Sequence, residues 1–196
     1  MIRLVLALLL AAPAMAQEVD PEARARMAEA YAGLPSCGMP PGDDRHELHA
    51  ASIEVSWQDE PRPLTIGLFV CTVGAYNVTH VALIDDGWSA EIAALPYTVV
   101  RGVYADETEE VLERFEIVGH GASIYAVNAA FDPDTRTLTQ FSAYRGLADA
   151  SDATTWRLHG LGFVLVREEI DLTFDGASNP WLVTEGGLAV EPRPLE

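Results

Sequence analysis

Apolar residues recur along this chain mostly at every second position, and at helical spacing in one clear run near the start. Asp20-Pro21-Glu22 opens that run with a capping side chain, a proline whose missing N–H does no harm in a first turn, and an acid near the positive end of the helix dipole. Ala23, Met27, Ala30, Tyr31 and Leu34 then share a face, and Gly33 with Pro35 ends the run. The spacing predicts a short amphipathic helix laid on the body of a domain. Residues 36–45, rich in proline and glycine, read as a loop around Cys37.

From Ala51 the period becomes two. Ala51, Ile53, Val55 and Trp57 oppose Ser52, Glu54 and Ser56, the pattern of a half-buried strand. After a turn over residues 58–63, Leu64, Ile66, Leu68 and Val70 alternate with Thr65, Gly67, Phe69 and Cys71. Gly74-Ala75-Tyr76-Asn77 breaks this run. Residues 78–84 are apolar on both faces and predict a central strand, followed by a hairpin turn at Asp85-Asp86-Gly87 leading toward Trp88. Residues 105–118 carry two patterns. Asp106 with Glu109 resembles a capping box and Val111, Leu112 and Phe115 make a helical stripe, while Val111, Glu113, Phe115 and Ile117 also alternate. This segment is read as a short helix running into a strand. Beyond Gly119-His120-Gly121, the residues Tyr125, Val127, Ala129 and Phe131 share one face of the next strand.

Residues 131–174 form one strand-turn-strand unit after another. Asp132-Pro133-Asp134-Thr135 suits a type I turn. Trp156 and Leu158 oppose Arg157 and His159; residues 163–166 are apolar on both faces, and Ile170, Leu172 and Phe174 continue one of them. The expected fold is mainly β, an antiparallel sandwich or barrel-like sheet with a short N-terminal helix and room for one further short helix. No helical crossovers separate the later strands, which excludes a doubly wound parallel sheet.

The N-terminus changes the picture of where this domain works. Met1-Ile2-Arg3, an apolar run over residues 4–12, Pro13 and Ala14-Met15-Ala16 have the order of a secretory signal peptide, with cleavage expected after Ala16. The apolar run falls short of the ~20 residues that span a bilayer, so no membrane span is expected in the mature chain. The expected product is one globular domain, residues 17–196, periplasmic or secreted. Cleavage would remove Arg3 and take the formal charge from −18 to −19. So acidic a surface repels phosphate backbones, which excludes nucleic acid as a partner. All basic residues are arginine, so Schiff-base lysines, Ser-Lys dyads and the phosphate-binding loop that ends in Gly-Lys-Ser/Thr are excluded too.

The chain has two cysteines, Cys37 and Cys71. In an oxidising compartment an even count favours a disulfide. The rival reading makes one of them a nucleophile paired with His46, His49 or His80.

Other constellations fall short of a complete site. His46-Glu47-Leu48-His49 has metal-binding residue types, but positions 46 and 49 point to opposite faces of a strand, and a solvated polar turn is the preferred reading. Asp132-Pro133-Asp134 lacks the glycine and the glutamate of a calcium loop. Gly121-Ala122-Ser123 and Gly176-Ala177-Ser178 each begin a nucleophile elbow without its last glycine. Neither a metal nor a cofactor is called for. Glu168 and Glu169 point to opposite faces and cannot share a glycosidase site. Glu168 shares its face with Val164, Val166, Ile170 and Leu172. If buried it needs a partner such as Arg145 or Arg157; a bend that lets it reach water is preferred.

Cys71 just before Gly74-Ala75-Tyr76-Asn77, Asn128 before Phe131-Asp132-Pro133, Arg145-Gly146-Leu147, Trp156 and Phe163-Val164-Leu165 together resemble a proteobacterial exported family catalogued as domain of unknown function eleven-seventy-six. The resemblance covers residues 64–184. Where that family has Gly-Asp-Cys-Gly, this chain has Ala148-Asp149-Ala150-Ser151, and a later cysteine is missing around residues 171–173. The resemblance implies that these two were bonded to each other and that Cys37 and Cys71 form the remaining bridge. It implies no biochemical role.

Two function classes remain. One is a non-catalytic binding or interaction module for a protein or cell-envelope component, with Tyr76, Asn77, Arg145 and Glu168 as candidate binding residues. The other is a periplasmic hydrolase with a His/carboxylate site, against which the lack of a complete catalytic constellation counts. A deep pocket where two or more of His80, His120, His159, Glu168 and Arg145 converge would discriminate them.

Overall fold

The computed structural model of the protein describes residues 19–55, 60–105 and 111–194. The expected leader at residues 1–16, Trp57 and the Asp106 with Glu109 capping pair lie outside them. The elements run α1 (Ala23–Ala32), β1 (Glu47–Ile53), β2 (Arg62–Val73), β3 (Val78–Asp85), β4 (Ala90–Ile92), β5 (Leu95–Tyr104), β6 (Leu112–Ser123), β7 (Tyr125–Val127), β8 (Ala130–Asp132), β9 (Thr137–Ala143), β10 (Ser151–His159), β11 (Gly162–Asp171), β12 (Trp181–Glu185) and β13 (Leu188–Pro194). They make a five-stranded sheet ordered β1-β2-β3-β4 with β7 also on β3, a six-stranded sheet ordered β13-β12-β11-β10-β9-β8, and a two-stranded ribbon, β5-β6. All pairings are antiparallel, and the sheets pack as a sandwich-like fold with no closed barrel among the described residues.

Alternation in β2 and β3 sets up the layers. Leu64, Ile66 and Leu68 of β2, with Ala82 and Ile84 of β3, meet Leu138, Trp156, Leu158 and Phe163 of the six-stranded sheet. The opposite face of β2 and β3, with Phe69, Cys71, Val81 and Leu83, takes Met27 and Tyr31 of α1. β3 is therefore buried on both faces, as its sequence predicts. Burying side chains of this size contributes roughly 1.5–3 kcal/mol each. Gly67 lets the helix sit this close, because a Cβ there would lie 2.6 Å from Met27 Sδ. Arg26 fixes the helix to the end of β3, with Nε 2.6 Å from Asp85 Oδ2 and Nη2 2.7 Å from Asp85 Oδ1.

Cys37 and Cys71 are bonded, which removes the nucleophile reading. The bridge ties the loop after α1 to β2 across 34 residues of sequence, worth about 3 to 4 kcal/mol in the chain-entropy description. Among the described residues no helix is long and apolar enough to cross a membrane.

Three expectations need correction. The first strand starts at Glu47, so His46-Glu47-Leu48-His49 is a strand entry rather than a solvated turn. His46 is 3% exposed. Its Nδ1 accepts the Val70 N–H at 3.0 Å and its Nε2 lies 2.9 Å from the Pro40 carbonyl, so the neutral ring extends the β1–β2 ladder by one side chain. Burial lowers its pKa, which fits that neutral form. The second correction concerns residues 112–118, which are strand and not a helical stripe. The third concerns the single strand expected up to Phe131. It breaks at Asn128, whose φ of 46° lies in the left-handed region that asparagine tolerates better than most residues. The break moves Ala126, not Tyr125 or Val127, into the core beside Phe131.

Candidate functional site

Three of the residues singled out by sequence hold the fold together. Gly74-Ala75-Tyr76-Asn77 is the turn of the β2–β3 hairpin, closed by the Gly74 N–H to the Asn77 carbonyl at 2.7 Å. The Asn77 amide donates to the Ala143 carbonyl at 2.7 Å and accepts the Ala143 N–H at 3.3 Å, as another strand would. Asn128 does the same to Val78, accepting its N–H at 2.8 Å and donating its own N–H to the Val78 carbonyl at 2.7 Å. Its Nδ2 also reaches Asn77 Oδ1 at 3.1 Å and the Phe141 carbonyl at 3.0 Å. This pair of asparagines clasps the β2–β3 turn to the six-stranded sheet.

Tyr76 lies over Gly146 and donates to the Tyr144 carbonyl at 3.4 Å, leaving the residue 50% exposed. Arg145 forms a two-pronged ion pair with Asp149, donates to the Phe174 carbonyl at 2.8 Å and lies over the Phe174 ring. Arg145 holds the Asp149 carboxyl well below the ordinary range. Its guanidinium therefore joins two loops, and neither it nor Arg157 reaches Glu168.

Glu168 is buried, 3% exposed, and its partner is the ribbon: the Thr98 N–H donates to Glu168 Oε2 at 2.9 Å. The preferred expectation, a bend that exposes it, fails because of what the bend does. Trp156 pairs with Leu165 but Thr155 with Arg167, so β11 bulges at Val166. One extra residue reverses the alternation. Glu168 thereby joins the face of Phe163 and Leu165, the inner one, instead of the face of Val164.

The pairings extend that inner face across three strands. Gln140 stands opposite Thr154 and Ser142 opposite Asp152 on β9–β10, while Thr154 stands opposite Glu168 and Asp152 opposite Ile170 on β10–β11. One half of the face is thus apolar and packs on the five-stranded sheet. The other half is polar, and the ribbon crosses it. Trp156 marks the border, donating its indole N–H to the Pro96 carbonyl at 2.7 Å where the ribbon begins. Further along, Thr98 and Thr184 hydroxyls meet at 2.8 Å, the Tyr104 hydroxyl donates to the Leu172 carbonyl at 2.8 Å, and Phe115 packs with Ile170 and Val183.

Ribbon and sheet do not close completely. Between them lies a compartment of about 310 Å³ of mixed lining, with Tyr97, Thr98, Gln140, Tyr144, Asp152 and Glu168 as its polar part and Val99, Val100, Ile170 and Leu172 as its apolar part. Gln140 donates to Asp152 Oδ2 at 2.7 Å. Burial raises the pKa of Asp152 against opposing hydrogen bonds from Tyr144, Gln140 and Ser142. Burial likewise raises that of Glu168, opposed first by its bonds to Thr98, while the nearby Asp152 adds to the rise. The Tyr144 hydroxyl is raised by burial and then by the charge of Asp152. Tyr97 also lines a larger, mostly apolar groove of about 650 Å³ with Pro96, His120, Arg157, Phe163, Val164 and Thr184.

Of the five residues whose convergence was to discriminate function, Glu168 lines one compartment and His120 the other. His80 is elsewhere, its Nδ1 accepting the Ala129 N–H at 3.4 Å. The described residues contain no group of three or more His, Cys, Asp or Glu arranged to hold a metal. Asp152, Gln140, Tyr144, Tyr97 and Thr98 escaped notice in the sequence. The available signal was Ser142, Asp152 and Thr154, polar positions in register with Trp156 and Leu158. No protein-family model matches the chain, and comparison with curated proteins and with solved structures finds no match.

Proposed function

We propose that this protein is a periplasmic or secreted binding module that holds its ligand in the cleft between the β5–β6 ribbon and the inner face of the six-stranded sheet. One observation carries the reading: the smaller compartment remains instead of packed core where that face turns polar under the ribbon, and the larger apolar groove opens beside it. The larger has the size and apolar lining usual for ligand sites, with titratable groups of shifted pKa beside it. The leader-like start and the disulfide support export. Tyr76, Asn77 and Arg145, engaged in holding turns and loops, drop out as binding residues; Glu168 stays, as a wall of the cleft.

Native mass spectrometry of the exported protein tests this. Wild type should carry a bound molecule that Ala189→Trp, which fills the groove from an exposed position, lacks. Equal retention by both would contradict it.

One observation favours a second reading, a hydrolase: Asp152 and Glu168, both with raised pKa, line one compartment beside His120. Turnover of chromogenic ester or glycoside substrates that disappears in Asp152→Asn would establish it. Absence of turnover supports the binding module.

The family resemblance also stands as a proposal. Ser151, next to the Ala150 that stands in place of one family cysteine, is the cross-strand partner of Asp171, within residues 171–173 where the other falls.

A further inference from the structure

The apolar compartment runs along a strand edge that no strand among the described residues pairs with. β11 has 10 residues and β12 only 5, and their pairing begins at Arg167. Gly186 and Gly187, with φ of 62° and 80°, turn the chain away there into β13. The Gly187 N–H caps the Val166 carbonyl at 3.3 Å and closes one end of the edge. From Gly162 to Leu165 no backbone or side-chain bond among the described residues reaches the β12 side. In an antiparallel ladder every second residue points its N–H and C=O to that side, so the groove holds unpaired backbone groups inside an apolar lining.

Pro96, Tyr97 and His120 of the ribbon line the groove, as do Gly186, Gly187 and Ala189 around the start of β13. One extended strand is the occupant that pairs with the backbone groups of such an edge. Its register fixes the pattern of the occupant. Positions facing the inner side, beside Phe163 and Leu165, meet apolar side chains; the position beside Val164 lies on the outer face. Arg157 is the cross-strand partner of Val164 and lines the groove. Among the described residues it forms no ion pair, in a chain with 30 acidic residues. An added strand would run two strand spacings, about 10 Å, from β10, within reach of an arginine and a glutamate meeting over Val164.

We infer that the groove binds an extended peptide segment of apolar-acidic-apolar pattern, which adds as a strand beside β11 and pairs its acidic side chain with Arg157. This rests on the cleft being the binding site and names the class of its occupant. Main-chain bonds to the edge supply affinity and the alternate side chains supply selectivity, as in other strand additions.

Fluorescence anisotropy with a labelled valine-glutamate-valine peptide tests it. Wild type binds, replacing the glutamate by lysine weakens binding about tenfold, the scale of turning one cross-strand attraction into a repulsion, and Arg157→Glu restores binding of the lysine peptide. Methylating the peptide backbone nitrogens on the β11 side abolishes binding, and Ala189→Trp does the same. Equal binding of the glutamate and lysine peptides, undiminished binding of the methylated peptide, or self-association of the protein through this edge would each overturn the inference. If no peptide binds while wild type still carries a molecule that Ala189→Trp lacks, strand addition fails and the cleft reading survives; if neither is seen, both fail.

Discussion

Replacing Glu168 separates its role as an acceptor from its role as a charge. The carboxylate takes the N–H of Thr98 at 2.9 Å, and both residues are 3% exposed. Glu168→Leu leaves that amide without a partner, which costs roughly 1–3 kcal/mol. For a chain of this length that corresponds to a fall in Tm of roughly 2–12 °C. Glu168→Gln keeps a carbonyl oxygen for Thr98 and removes the charge that burial disfavours, so its stability at neutral pH should equal or exceed that of wild type. Amide hydrogen exchange read at Thr98 isolates the contact from any packing gain of the leucine. The amide should exchange faster in Glu168→Leu and stay protected in Glu168→Gln. If Thr98 is equally protected in all three proteins, Glu168 does not hold the ribbon and the reasoning is wrong.

Three further expectations follow from other parts of the molecule. Gly67→Ala should destabilise by about 1–3 kcal/mol, because the added Cβ lies 2.6 Å from Met27 Sδ; urea unfolding with unchanged stability would show that α1 does not press on β2. Asn77→Ala removes both bonds to the Ala143 backbone and should cost about 1–3 kcal/mol, whereas Tyr76→Ala, at a half-exposed ring, should cost less; the reverse order in thermal melts would contradict the clasp. Asp152 has a folded pKa above its ordinary 3.8, so its stabilising effect is complete below that value and is lost as pH rises through the folded pKa. Asp152→Asn should therefore gain on wild type between pH 4 and pH 7, and a constant difference between their urea midpoints across that range would refute the burial argument.

How far the sequence could be read depended on whether each strand kept one register throughout. β2 and β3 do so from Leu64 to Val70, ahead of a shift at Cys71, and over that stretch alternation alone places Ile66 against the second sheet and Phe69 under the helix. β11 does not. Its bulge falls in residues 163–166, where both faces are apolar, so the pattern holds no mark of the reversal that turns Glu168 inward. Asp152 has the parity of Trp156 and Leu158, which puts it on their face; what the pattern did not hold is the tertiary course of the ribbon that covers it. The Asn128 break hid as the bulge did, since the residues around it remain apolar at alternate positions. The motif residues Tyr76, Asn77 and Arg145 were conspicuous because tight turns and loop clasps need particular residue types, and that structural demand by itself accounts for their pattern.

The most direct test is a photo-crosslinking residue placed in the groove or on the motif surface of the protein in its native compartment. With the residue at position 189 the account predicts a specific adduct, and with it at position 76 none. An adduct at position 76 with none at position 189 would contradict the assignment of the cleft as the binding site.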